Sequence, residues 1–176
     1  MKGSVKILNI VHIIEGGIDL HTHSSPSLFP RKLNDWEMIE EARARHLGGI
    51  VIKSHESSTV DRAQVLQMKV PDLIIRGGIV LNYFIGGLNP YAVEVALKMG
   101  GKFIWLPTIS SEQHMLHYRG NEGKLFQGID EISHPKEGIT ILTSEGNLKK
   151  VMYDIIDLVK EHDGVLCTGH ISENEV

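Results

Sequence analysis

Ile18-Asp19-Leu20-His21-Thr22-His23 stands between Gly16-Gly17 and the loop Ser24-Ser25-Pro26-Ser27. That framing reads as a short strand. In a strand alternate side chains share a face. The expectation is therefore Asp19, His21 and His23 on one side and Ile18 and Leu20 on the other. Two imidazoles at i and i+2 can close on one metal ion, and a nearby carboxylate can bind that ion or steady a ligand. The histidines stand at the strand's C-terminal end, where parallel α/β folds gather their chemistry. A bare His-x-His also occurs on ordinary surface strands, so the rest of the chain decides.

A rhythm of strand, loop and helix runs outward from this stretch, whose strand is placed at 17–22. Asn34 with Glu37 three residues on reads as a capping box. It opens a helix with Trp36, Ile39, Arg43 and Leu47 at helical spacing and Met38 and Ala42 alongside. Trp36 is expected to pack that helix on the sheet. Gly49-Ile50-Val51-Ile52-Lys53-Ser54-His55 is an apolar run, as in a strand buried on both faces, with Lys53 and His55 sharing one face at its end. Ser58 and Asp61 open a helix that ends before Pro71.

Residues 77–82 give a third strand ending in Asn82, and Asn89-Pro90 starts a helix with Val93, Ala96 and Leu97 on its apolar face. Phe103-Ile104-Trp105-Leu106-Pro107 is the fourth strand. The rhythm then breaks: residues 109–137 read as a long loop with one short helix, carrying His114, His117, Tyr118, Arg119 and His134. Loops of that length in compact domains are functional or disordered. Thr143-Ser144-Glu145-Gly146 reads as a small hairpin turn. Leu148, Val151, Ile155, Leu158 and Val159 mark a periodic helix, and Val165–Gly169 is the fifth strand, with His170 at its end. Ser172-Glu173-Asn174-Glu175 is a further capping box.

The early units recur at about 30 residues, the pitch of a (β/α) barrel of about 250 residues and eight units. About five units are present. The expected fold is α/β, one TIM-barrel-like domain over 1–176, apparently partial and equivalent to the N-terminal part of a longer barrel. The alternative is an open doubly wound sheet complete in itself.

The 176 residues carry a formal net charge of −4 and are 41% hydrophobic, which suits one domain with its own core. No basic stripe points to nucleic acid. No apolar run approaches the roughly 18–20 residues of a membrane span. The apolar stretch Val5–Ile14 is interrupted by Asn9 and His12 and lacks a small-residue cleavage site, which argues against a secretory signal. A single cysteine, Cys167, precludes an internal disulfide and suits the cytoplasm. It alternates away from His170 and is expected to be a packed core thiol. The open edge of the fifth strand predicts a homo-oligomer.

If the strands form one rim, their ends bring together His21, His23, Lys53, His55, Asn82 and His170. Imidazoles suit zinc, with manganese or iron as alternatives, as one ion or two, leaving a position open for water. A metal lowers that water's pKa to about 7. Lys53 has three readings: a carbamate ligand, a cation for an anionic substrate, or a lysine paired with Asp19 or Glu56. Asn82 either orients a small-molecule substrate or forms a turn. His114, with His117 and Arg119, either contacts substrate from a lid or is solvated. Glu56 is a weaker candidate base. His12, His46, His134 and His162 read as structural or exposed, and Gly86-Gly87 lacks phosphate-loop spacing.

The Asp19-x-His21-x-His23 strand and the Lys53-Ser54-His55 and Thr168-Gly169-His170 strand ends resemble the metal-dependent hydrolases of the amidohydrolase type, among them a group of uncharacterised amidohydrolases with this strand order. The resemblance covers nearly the whole chain. It implies His21, His23 and His170 as metal ligands, Lys53 and Asp19 in catalytic roles, and attack of metal-activated water on a C–N or related bond. The Ser54-His55 ending is also similar to the polymerase and histidinol phosphatase (PHP) family of phosphoesterases, which implies His55 as a ligand. The chain departs from the first family in two ways. Its fourth strand ends Trp105-Leu106-Pro107-Thr108, with no carboxylated lysine, and the strands that would bring a later histidine and a catalytic aspartate are absent. A non-catalytic, metal-binding remnant is the alternative of another class.

Overall fold

The computed structural model describes residues 14–119 and 135–176. Five strands, β1 (Ile18–Thr22), β2 (Gly49–Ile52), β3 (Ile74–Val80), β4 (Phe103–Trp105) and β5 (Val165–Cys167), form one sheet. Every pairing is parallel and the order is β1-β2-β3-β4-β5. The sheet curls into a half-barrel. A doubly wound sheet needs a reversal of strand order, and none is present, so that alternative falls.

Among the described residues, the helices between the strands are α1 (Asp35–Ala44), α2 (Val60–Lys69), α3 (Pro90–Lys98), α4 (Glu112–His117) and α5 (Lys150–Glu161). Their starts follow the local chemistry. The Asn34 side chain accepts from the Glu37 N–H at 3.0 Å while Glu37 accepts from the Asn34 N–H at 2.8 Å. Both are amides that the first turn of α1 leaves without a helical partner. Asn89 does the same for Tyr91 and Ala92 ahead of α3.

The convex face of the sheet is packed by helices. Ile50, Ile52 and Ile75 meet Ile39, Ala42, Ala63 and Leu66. Ile79, Leu81, Ile104 and Leu106 meet Val93, Leu97, Met152, Ile155 and Val159. The expected role of Trp36 is not seen, since its side chain is 52% exposed. The buried stripe of α1 runs through Ile39 and Ala42, and Arg43, in phase with Trp36, pairs with Asp72 in solvent.

The concave face carries a smaller cluster of Val51, Val80, Phe103 and Trp105, with Cys167 against it. Cys167 thus shares a face with Lys53, whose ammonium lies 5.4 Å from the Trp105 ring centroid. Strand alternation stops at Gly169, which adopts φ +64°; a Cβ there would clash with the Leu106 carbonyl. Toward the other end of the concavity Ile18, Leu20, Ile74 and Val165 are exposed.

The expected hairpin is present, with an antiparallel bridge between Leu142 and Leu148. The Ser172–Glu175 box also forms, and Glu175 further accepts from the Thr140 hydroxyl at 2.6 Å and the Ile141 N–H at 2.9 Å. His12, His134 and residues 120–134 of the long loop lie outside the described residues. Among the described residues, no helix is long and apolar enough to cross a membrane.

Candidate functional site

A bulge in β1 places the first two histidines. Asp19 pairs in register with Ile50, but Thr22 pairs with Ile52, so one extra residue sits between them. The insertion reverses the strand's phase. Asp19 and Thr22 consequently line a helix-side cleft with Met38, Ala42 and Ile50, and His21 is released to the concave side. The expected single face for Asp19, His21 and His23 is therefore corrected. The Asp19 carboxylate instead accepts from the His21 backbone N–H at 3.0 Å, bracing the bulge.

The Nε2 atoms of His21 and His23 lie 3.1 Å apart, and Lys53 Nζ lies 3.2 Å from His21 Nε2. Lys53 is 2% exposed. A hydrogen bond from its backbone N–H to the Thr22 carbonyl, 2.8 Å, ties the ends of β1 and β2. His55 stacks on His23 with ring centroids 4.8 Å apart, and His170 meets His55 edge-on at 6.3 Å. His114, from α4, brings its Nδ1 to 3.2 Å from His170 Nδ1. Five imidazoles thus form a row along the rim, and the sequence-expected histidines are brought together.

Burial keeps His21, His23, His55 and His170 uncharged. Desolvation is the first cause that lowers His23 and His170 to about 4 and His55 to about 2, and it lowers His21 too. The positive charge of Lys53 adds to each, and Arg31 adds at His23 and His55. Burial likewise brings Lys53 down to about 8. Neutral imidazole is the form that binds metal. Zinc–nitrogen bonds of 2.0–2.1 Å at a tetrahedral angle set ligand nitrogens about 3.4 Å apart, close to both the His21/His23 and His114/His170 spacings. The donor chemistry therefore fits a divalent cation. Among the described residues, however, no three His, Cys, Asp or Glu side chains gather around one point. The expected four histidines lie along a row whose close nitrogen pairs are His21 with His23 and, through the added His114, His170 with His114.

Other expectations change. Asn82 is fully buried and its amide is spent on structure. Its Nδ2 donates to the His55 carbonyl at 2.9 Å and Thr108 Oγ1 at 2.8 Å, and its Oδ1 accepts from the N–H groups of Thr108 and Ser110. Asn82 latches the ends of β2, β3 and β4 and does not offer itself to substrate. Lys53 forms no ion pair with Asp19 or Glu56 among the described residues. Glu56 is turned to the Leu28 N–H, 2.8 Å away. His114 faces the rim directly, joined to His170.

Thr108, Arg31 and Phe29 join the site without a sequence signal. Thr108 Oγ1 lies 2.9 Å from His55 Nδ1, so a proton on Nδ1 leaves the Nε2 lone pair available. Phe29 meets His55 edge-on at 5.5 Å. The loop that carries Phe29 and Arg31 is fixed from below. Arg62 grips Asp35 through Nε at 3.0 Å and Nη2 at 2.6 Å, and Ser24 donates to the same carboxylate.

No curated protein and no solved structure matches this sequence. Residues 16–176 match the family of unknown function DUF6282. That match spans the whole described sheet and every histidine of the rim, and the chain belongs to this family.

Proposed function

We propose that this protein is a metal-dependent hydrolase of the amidohydrolase type. The observation that carries the reading is the His21/His23 nitrogen pair, 3.1 Å apart, with Lys53 Nζ beside it at the head of an imidazole row. His21 and His23 would hold a divalent cation, zinc or else manganese or iron; His170 with His55 or His114 would serve a second. A bound cation supplies activated water and polarises the bond under attack, a C–N or related bond. Lys53, brought down to about 8, stands near enough to neutrality to hold and release a proton at Nζ. Asp19 fixes the backbone of His21, and Thr108 fixes the ring of His55. The sequential parallel order supports reading the sheet as an arc of a TIM-type barrel, and its open edges support a homo-oligomer.

The test is equilibrium dialysis of the purified chain against zinc and manganese. At least one equivalent is expected to bind, and His21→Ala is expected to weaken binding by about tenfold or more. No bound metal, and no change on His21→Ala, would favour a non-catalytic remnant. Turnover of cyclic amides against phosphate monoesters by the loaded protein separates the amidohydrolase reading from the phosphoesterase one.

A further inference from the structure

Arg31 lies in the loop between β1 and α1. Its Nε donates to Ser27 Oγ at 3.3 Å, and its guanidinium sits 5.4 Å from the centroid of the Phe29 ring, the ring that touches His55. Its Nη2 is buried yet has no hydrogen-bond partner among the described residues, and the same holds for Glu56 Oε2. A buried donor left without a partner costs about 1–3 kcal/mol and calls for an explanation. Arg31 and Glu56 influence each other electrostatically, yet no ion pair joins them among the described residues.

The charges acting on the middle of the row are positive. Arg31 and Lys53 both act on His23 and His55, and Asp19 acts on His21 alone of the four. Asp19, the other nearby carboxylate, is committed to the His21 N–H on the helix side. Two cations beside His23 and His55, one of them with an unpartnered nitrogen, make a seat for negative charge, and a guanidinium matches the planar fork of a carboxylate or phosphate.

We propose that Arg31 is the anion-recognising residue of this rim: the substrate carries an oxyanion, carboxylate or phosphate, that pairs with the unpartnered Nη2 beside the imidazole row. The inference rests on reading the rim as the substrate site, and its test does not depend on bound metal.

The experiment titrates the metal-free full chain calorimetrically with inorganic phosphate and, separately, with malonate. Saturable binding of at least one is expected at millimolar concentration. Arg31→Gln should weaken it by about tenfold or more, as loss of a charge-assisted hydrogen bond does, and Arg31→Lys should weaken it less. Arg43→Gln, on the surface beside Asp72, should leave it unchanged, and circular dichroism and thermal melting report that each variant folds. Phosphate binding alone assigns a phosphoryl group, and malonate binding alone assigns a carboxylate. If neither saturates, or if Arg31→Gln binds as wild type does, the proposal is overturned. Zinc binding that persists in that case leaves the metal reading standing, whereas anion binding without zinc binding removes the metal reading alone.

Discussion

His21, His23, His55 and His170 are held below their ordinary value, and that fixes how stability responds to acid. In the unfolded chain these rings take up protons near pH 6.5, whereas the folded chain resists until about 4 for His23 and His170 and about 2 for His55. The unfolded state therefore binds more protons in this window. The stabilisation is complete above about pH 6.5 and is lost as pH falls toward 4, by up to about 1.4 kcal/mol per pH unit for each ring. Urea unfolding of the metal-free protein at pH 7, 6 and 5 should show this decline, and His55→Leu should make it shallower. An unaltered slope in His55→Leu would count against a buried neutral imidazole. His23, His55 and His170 are legible in the sequence because they sit just past strands that announce themselves, and His21 because it stands within the first of those strands. Asp19 was misread because a bulge leaves no mark in a period-two pattern. Arg31 was missed because its role depends on Ser27 and Phe29, whose positions only the folded loop defines.

Among elements, the β1–α1 loop depends most on one distant contact. The Arg62–Asp35 fork is largely buried, with side chains 17% and 14% exposed. Removing one partner strands the other charge. Arg62→Ala should lower stability by about 3 kcal/mol, and the Arg62→Ala/Asp35→Ala double variant should lose less than the two single losses combined. Denaturant midpoints for the cycle measure this, and additive losses would deny the coupling. The helix starts at Asn34 and Asn89 were readable because capping uses neighbours in sequence. The orientation of α1 was not, because Trp36, Ile39 and Arg43 are also in phase, and the choice between the two stripes is made by the sheet beneath. The Asn82 latch was equally hidden, since its partners come from 26–28 residues away.

At the scale of the whole molecule, an arc whose β1 and β5 edges carry no strand partner among the described residues, with an apolar inner margin at Ile18, Leu20, Ile74 and Val165, is a surface that invites cover. Sedimentation velocity should show concentration-dependent self-association, reduced by Leu20→Lys; a monomer at every concentration would count against it. The parallel, singly ordered sheet was foreseeable from the recurrence of strand and helix, and the order itself separates an arc from a doubly wound sheet. That order also shapes how the chain comes together. Ile18 meets Gly49, Gly49 meets Ile74, and Gly78 meets Phe103, so the first three closures bridge 31, 25 and 25 residues. Phe103 meets Val165 only after 62. Entropy penalises that longer span by only about 0.6 kcal/mol per doubling, but it comes after the other three in synthesis. A polypeptide emerging from the ribosome can lay each strand against its predecessor in turn, with His170 the last of the five described imidazoles to reach the rim.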